Sequence, residues 1–138
     1  MNIKKSPQYE LYTFTKFLNH NKEKLVPSTC DERCVYSTII NRCYYSSYLF
    51  VLFWLEDKFK FRLKKPFDFD EDEEYITEHK QVRLALKDKG LETISSELAD
   101  LFKLRKKADY DPLADISLEE LSDAIESMEL IFRKLTFN

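Results

Sequence analysis

The chain has 138 residues, of which 43% are hydrophobic and 14% aromatic, a composition that suits one domain with an apolar core. Its net charge of −3 excludes the strongly basic class of nucleic-acid-binding proteins, so any contact with RNA has to be local. A single glycine and four prolines leave little material for hairpins or for a glycine-rich phosphate loop. The composition therefore predicts one all-α domain over residues 1–138.

Two helices are predicted in the first half of the chain. The first covers residues 7–25 and ends at Pro27-Ser28-Thr29, and its apolar side is largely aromatic: Tyr9, Tyr12, Phe14, Phe17 and Leu18. The second covers residues 31–61 and is apolar nearly all round between Tyr44 and Leu55. Such a helix lies at the centre of a bundle, at a dimer interface, or both.

The charge reverses abruptly after the second helix. A basic stretch with Phe59 and Phe61 between its charges precedes an acidic loop at residues 66–74, and its cations are Lys58, Lys60, Arg62, Lys64 and Lys65. This stretch fits either a nucleic-acid contact or the solvated end of an amphipathic helix, and we favour the solvated end. We predict that the acidic loop is mobile, because like charges repel, and the alternative is a loop that mimics phosphate or docks a basic partner.

Three further helices are predicted at residues 75–88, 93–109 and 118–136. The fourth ends at Asp111-Pro112, because proline disfavours helical geometry in the residue before it. The fifth begins at the capping box Ser117-x-x-Glu120. Its apolar residues recur three and four apart, which predicts a buried seam, with an exposed docking surface as the alternative: Leu118, Leu121, Ile125, Met128, Phe132 and Leu135. The five helices predict an antiparallel four- to five-helix bundle.

The sequence shows no membrane span, no signal peptide and no complete set of metal ligands. No run of about 18 to 20 apolar residues could span a bilayer, and the polar residues 1–5 lack the core of a signal peptide, so we expect a cytoplasmic chain with no membrane partner. Cys30, Cys34 and Cys43 are an odd number of cysteines, which suits reduced and buried thiols. His20 with Cys30 and Cys34 lacks a fourth ligand, so we predict no metal site and no cofactor.

Charged and phenolic side chains gather at the end of the fourth helix. Arg105 and Asp109 lie one turn apart, so the carboxylate can orient the guanidinium, with Tyr110 on the adjacent face. The alternative interpretation is a plain ion pair at a helix end.

A second arginine lies on the second helix among apolar or small residues. The guanidinium of Arg42 therefore needs an anion, a carbonyl cluster or water. One interpretation is a structural link to Asp109 or Asp111. The other is a cleft in which Arg42 and Arg105 bind phosphate oxygens and nearby tyrosines supply hydroxyls or stacking faces: Tyr44, Tyr45 and Tyr110.

Three segments together resemble a known family. Leu104-Arg105-Lys106-Lys107-Ala108-Asp109-Tyr110-Asp111-Pro112, preceded by Asn41-Arg42-Cys43-Tyr44-Tyr45-Ser46-Ser47-Tyr48, is similar to the paired signature of a small prokaryotic HEPN-domain family. Glu78-His79-Lys80-Gln81-Val82 is similar to the start of that family's third helix, so the resemblance spans roughly residues 35–112.

The resemblance implies a HEPN-like helical bundle that binds or cleaves RNA, as a homodimer, in a toxin, antiphage or stress-response system. A cognate antitoxin or a nucleotidyltransferase is the implied kind of protein partner. The implied site consists of Arg42, Arg105, Asp109 and Tyr110, with Tyr45 and Lys106 as further residues that bind RNA or a nucleotide.

The chain departs from the family pattern at one position that matters for catalysis. In catalytic HEPN ribonucleases, histidine follows the arginine after four to six residues, whereas none of residues 106–113 is histidine here. Arg105 and Lys106 could supply only cations for RNA cleavage, so His79 is the remaining candidate for proton transfer, unless it is a surface or capping residue. Where toxin relatives carry a modified tyrosine this chain has Pro112, so Tyr110 is not assigned as a modification site.

Two other functions remain open at this point. One is a non-catalytic nucleotide-binding or adaptor HEPN protein that works with a partner enzyme, which the missing histidine favours. The other is a helical interaction module without a small-molecule site. Convergence of Arg42 and Arg105 would favour the RNA or nucleotide functions, and a tight pair of Arg42 with Asp109 would favour the interaction module.

Overall fold

The computed structural model describes residues 3–27 and 30–137, and within them the chain is helical without any strand. The five α-helices of this part are α1 Pro7–His20, α2 Glu32–Phe59, α3 Glu78–Asp88, α4 Glu92–Tyr110 and α5 Leu118–Thr136. Three short 3-10 turns accompany them at Ile3–Lys5, Lys22–Lys24 and Pro66–Asp68. The prediction of an all-α helical bundle is confirmed. None of the helices in the described ranges is both long and apolar enough to cross a membrane.

Helix α1 starts as its sequence predicts but ends five residues early. Ser6 caps it by accepting a hydrogen bond from the backbone N–H of Tyr9 at 3.2 Å. The prediction of helix up to residue 25 is wrong, because Asn21 leaves helical geometry and its side chain donates to the Phe17 carbonyl at 2.9 Å. The predicted stop at Pro27-Ser28-Thr29 includes two residues, 28 and 29, that lie outside the described part of the chain.

The aromatic side of α1 divides into a buried and an exposed half. Tyr12 stacks on Phe132 of α5 with ring centroids 4.2 Å apart, which anchors α1 to the core. Phe14 and Phe17, which the sequence assigns to the wide apolar side of the helix, are 53% and 57% exposed and stack on each other. The helix therefore covers the core with a narrower stripe than its composition suggests.

Helix α2 is the centre of the bundle. It packs against α1, α4 and α5, which explains why its sequence is apolar on nearly every side. Tyr44, Phe50 and Leu55 are among its fully buried residues. The helix ends at Phe59 rather than residue 61, because Lys60 adopts a left-handed conformation with φ of 57° and its N–H caps the Glu56 carbonyl at 3.1 Å.

The segment between α2 and α3 is tied to its surroundings. Thr77 caps α3 by accepting from the N–H of Lys80 at 3.3 Å, so the helix begins at residue 78 and not at residue 75 as predicted. Gln81 exchanges hydrogen bonds with both backbone groups of Lys64, at 2.8 and 2.9 Å. Within the acidic loop, residues 66–74, Glu73 pairs with Lys64 at 2.9 Å. The mobility of this loop stays a prediction.

Helices α4 and α5 complete the core on the other side of α2. The capping box predicted at Ser117 and Glu120 is present, with Ser117 accepting from the Glu120 N–H at 3.0 Å. The seam of α5 is buried at four of its six predicted positions: Leu121, Met128, Phe132 and Leu135. Ile125 is partly buried, and the prediction for Leu118 is wrong, since this first residue of the helix is 57% exposed.

Candidate functional site

Arg105, in the last two turns of α4, is held by three tyrosines and one carboxylate. Its Nη2 donates to the Tyr45 hydroxyl at 2.6 Å and to the Tyr110 hydroxyl at 3.2 Å. Its Nε lies 3.2 Å from Oδ2 of Asp109, an ion pair in which the N–H is not aimed at the carboxylate and so makes no directed hydrogen bond. The guanidinium also lies over the rings of Tyr44, Tyr45 and Tyr110, within 6 Å of each centroid. Arg105 is only 9% exposed, so these contacts fix its orientation.

Arg42 reaches the same place from α2. Its guanidinium lies 6.0 Å from the centroid of the Tyr45 ring, and that of Arg105 lies 5.1 Å from the same centroid. Both Nε and Nη2 of Arg42 donate to the side-chain oxygen of Asn41, the former at 3.0 Å. Asn41 in turn donates to Oδ2 of Asp109 at 2.8 Å. The two guanidinia therefore converge on one ring. Asp109 pairs directly with Arg105 and reaches Arg42 only through Asn41, which leaves an excess of positive charge.

The structural link that was one of two interpretations of Arg42 is made by a different residue. Arg42 forms no direct ion pair with Asp109 or Asp111, because the Asn41 amide stands between Arg42 and Asp109. Arg33, in the first turn of α2, instead donates to the carbonyls of Asp111 and Ala114, both at 2.6 Å. These bonds fasten the end of α4 and the following loop to α2, and leave Arg42 available at the site.

Tyr44 connects His79 to Arg105. Its Nδ1 is in hydrogen-bond contact with the hydroxyl of Tyr44, whose ring Arg105 covers. The imidazole packs between Tyr48 and Phe102, at centroid distances of 4.7 and 5.0 Å. The sequence places His79 only at the start of a helix, whereas the fold brings it to the edge of the arginine cluster. Because Nδ1 is occupied, Nε2 is the ring nitrogen left for a ligand.

The local field favours neutral forms of the groups around His79. Partial burial, followed by the positive charges of Arg105 and Arg83, lowers the pKa of His79. Burial raises the pKa of Tyr44 far above its ordinary range, and burial also raises that of Tyr48 to about 12. At neutral pH the imidazole is therefore suited to accept a proton, and the phenols stay protonated.

Lys106 turns away from the arginine cluster toward α3. Its Nζ lies 5.1 Å from the centroid of the Phe102 ring, and the guanidinium carbon of Arg83 lies 5.2 Å from the same centroid. Sequence reasoning missed Arg83, although it stands four residues after His79 and thus on the same face of α3. That spacing was the available signal.

Other residues singled out in the sequence lie apart from this cluster. Lys64 and Lys65 of the basic stretch pair with Glu73 and Glu78, at 2.9 and 2.7 Å, so these two charges are largely neutralised. Of the cysteines, Cys43 is buried while Cys34 is exposed, so the prediction of buried thiols is wrong for Cys34. Among residues 3–27 and 30–137, no three histidine, cysteine or acidic side chains are grouped so as to hold a metal ion.

Comparison with protein-family models, with curated proteins and with solved structures gives no match to this chain.

Proposed function

We propose that this chain is a HEPN-like protein that binds RNA through a surface formed by Arg42, Tyr45, Arg105, Asp109 and Tyr110, here called the Arg42–Arg105 surface. The observation that carries the proposal is the convergence of two guanidinia on the single ring of Tyr45, with one carboxylate, Asp109, paired to Arg105. As the resemblance implies, the setting would be a toxin, antiphage or stress-response system, and the active form a homodimer.

The chemistry of this surface suits a phosphodiester strand. Guanidinium groups bind phosphate oxygens in a bidentate way, and aromatic faces stack on unpaired bases with little sequence preference. Arg42 is partly exposed and Tyr110 is 69% exposed, so both can meet a ligand directly. Arg105 is more deeply placed, and its bonds to Tyr45 and Tyr110 position those two phenols.

RNA cleavage is the further activity that this surface could support. His79 lies beside the cluster with its pKa lowered, which favours the neutral imidazole that a general base requires. With Nδ1–H donating to the Tyr44 hydroxyl, Nε2 would take the proton of a 2′-hydroxyl as the 2′-oxygen attacks phosphorus, and Arg105 and Arg42 would stabilise the charge on the phosphorane. The P–O5′ bond would then break as the imidazolium returns the proton to the leaving 5′-oxygen. The missing motif histidine favours instead a protein that binds RNA or a nucleotide without cutting it, as an adaptor for a partner enzyme.

The first experiment measures binding of the purified full chain to a fluorescently labelled single-stranded oligoribonucleotide, with a chelator present. Arg42→Gln is expected to weaken binding about tenfold, because one charge-assisted phosphate contact is lost. Arg133→Gln removes the same charge from the exposed surface of α5 and serves as the matched control. We use Arg42 rather than Arg105, since truncating a buried and bonded arginine would also destabilise the fold.

Equal losses of affinity in Arg42→Gln and Arg133→Gln, or no RNA binding by the wild type, would overturn the proposed function. Cleavage is followed on the same oligonucleotide by gel electrophoresis. If the wild type cuts and His79→Gln binds equally well without cutting, His79 transfers the proton. If the wild type binds without cutting, the adaptor function replaces the nuclease.

A further inference from the structure

Two cations outside the Arg42–Arg105 surface share one aromatic ring. The guanidinium of Arg83, on α3, and the ammonium of Lys106, on α4, each lie within 5.2 Å of the centroid of the Phe102 ring. They are therefore at most about 10 Å apart, although they belong to different helices. The Ser95 hydroxyl donates to the backbone carbonyl of Arg83 at 3.0 Å, which fixes this part of α3 against α4.

Neither cation is neutralised within the described part of the chain. Lys65 and Lys107 each have a carboxylate at 2.7 Å, whereas no carboxylate of the described residues lies within 4 Å of the Arg83 guanidinium or the Lys106 ammonium. Nη1 of Arg83 is buried and has no hydrogen-bond partner among those residues. A partly desolvated guanidinium in that state is destabilised until an anion reaches it.

The pair is joined to the Arg42–Arg105 surface through one buried ring, that of Tyr44. The Phe102 centroid lies 5.5 Å from that of Tyr44, and the Tyr44 centroid lies 5.9 Å from the guanidinium carbon of Arg105. His79 packs against both Tyr44 and Phe102 in the middle of this row, and partial burial, followed by the positive charges of Arg105 and Arg83, lowers its pKa. The cations and rings of this row that reach the surface are the groups with which proteins hold single-stranded nucleic acid, and the buried Tyr44 ring fixes their spacing.

We infer that Arg83 and Lys106 form a second phosphate subsite, which holds a phosphodiester of the same single-stranded RNA whose neighbouring part lies on the Arg42–Arg105 surface. The inference rests on the proposed function and deepens it. It gives the ligand a minimum length, because the strand has to span both subsites. It also gives the strand a path across the surface, from α2 over α4 to α3. Lys106, which is exposed, would meet the phosphate first, and Arg83 would hold it from the α3 side.

The test is the salt dependence of RNA binding by the full chain. For single strands, each phosphate contact contributes about 0.7 to the slope of log affinity against log salt concentration. The double variant Arg83→Gln/Lys106→Gln removes the one phosphate contact of this subsite and should therefore lower the magnitude of the slope by about 0.7 on a long oligouridylate. Shortening the oligouridylate to a dinucleotide should remove the difference between the double variant and the wild type.

A matched control removes two neighbouring cations elsewhere. Arg133→Gln/Lys134→Gln takes two exposed charges from α5 and should leave the slope close to that of the wild type. The charge-preserving variant Arg83→Lys/Lys106→Arg should retain the wild-type slope, and thermal unfolding of each variant separates misfolding from lost contacts. If RNA binding depends on Arg42 but the slopes of Arg83→Gln/Lys106→Gln and Arg133→Gln/Lys134→Gln are equal, the second subsite alone is overturned. Loss of the Arg42 dependence would overturn the proposed function with it.

Discussion

The arginine cluster depends on a few uncharged side chains that decide which charges meet. The Asn41 side chain accepts a hydrogen bond from Arg42 and donates one to Asp109. It therefore stands between the Arg42 guanidinium and the Asp109 carboxylate and prevents a direct ion pair. Tyr45 accepts from Arg105 and presents its ring to both guanidinia. The positive charge of the surface is only partly offset, because Asp109 is the one carboxylate of the described residues paired with these two arginines and an amide and phenols accept their hydrogen bonds.

The lowered pKa of His79 makes one prediction about stability and pH. Its charged form is disfavoured in the folded chain, so at mildly acid pH the unfolded chain binds more protons and the free energy of unfolding rises with pH. On acidification from about pH 7.5 to 5.5, the wild type should lose stability as the pH falls below the ordinary value of 6.5 toward the lower folded value. His79→Gln should show a flatter profile, measured by urea unfolding at each pH.

Two controls make that measurement specific to His79. His20→Gln alters the exposed histidine at the end of α1 and should keep the wild-type profile. The pKa values of the Glu73 and Glu120 carboxyls are lowered mainly by hydrogen bonds from Lys64 and Lys107. Their protonation therefore lowers the free energy of unfolding only at more acid pH. Parallel profiles for His79→Gln and the wild type would contradict the assigned environment.

The sequence identifies the residues of the cluster that belong to a local motif. It does not identify those whose partners are far away along the chain. Arg105 and Asp109 are visible because they are one helical turn apart. Arg33 and Asn41 meet partners 68 to 81 residues away, and no local spacing encodes such contacts. The assignment of Arg42 as a link stayed open for the same reason, since it depends on which side chain of α2 faces the end of α4.

At the scale of the element, hydrophobic periodicity predicts that a helix exists better than it predicts where the helix ends. The long apolar run of α2 and the capping box of α5 are strong signals, and both helices are present. The early ends of α1 and α2 are set by backbone geometry at Asn21 and at Lys60, neither of which is a glycine or proline. Capping by such residues is decided by packing, so boundaries shift by a few residues.

The first turn of α5 provides a direct test of which leucines build the core. Leu121 is 1% exposed and Leu118 is 57% exposed, although both lie on the predicted seam. Leu121→Ala should lower the free energy of unfolding by about 2–4 kcal/mol, because it leaves a cavity in the core. Leu118→Ala should change it by less than about 1 kcal/mol. Urea unfolding measures both, and similar losses in the two variants would contradict the packing of α5.

At the scale of the whole molecule, the charges are unevenly distributed about α4. The α3 side carries Arg83 and Lys106 without carboxylate partners in the described ranges. The α5 side forms a surface groove of about 480 Å³ that is lined by more acids than bases: Glu97, Asp100, Lys103, Asp123 and Glu126. The net charge of −3 is therefore spread unevenly, with the Arg83 and Lys106 cations on the α3 side of α4 and an excess of acids on its α5 side. Composition alone could not show this.

This distribution predicts that the acidic groove slows the approach of RNA. The double variant Asp123→Asn/Glu126→Gln should raise the association rate several-fold at low salt, because it weakens repulsion far from the contact surface. The dissociation rate should stay unchanged, since no residue of the Arg42–Arg105 surface is altered. At about 0.15 M salt the gain should vanish, as the screening length falls to about 8 Å. Stopped-flow binding to labelled RNA measures both rates, and a gain that persists at high salt would argue against long-range repulsion.

The bonds of Arg33 also govern how the chain assembles and how it is cut. The loop after α4 is closed by a side chain 78 to 81 residues earlier, so it can settle only after α2 and α4 have docked. Leu113 is 94% exposed and lies between Asp111 and Ala114, the two residues whose carbonyls Arg33 holds. A protease must draw this loop into an extended strand, which requires both bonds to break. Nicking at Leu113 would therefore report how often this loop leaves the Arg33 side chain, a residue about 80 positions away in sequence from the cut.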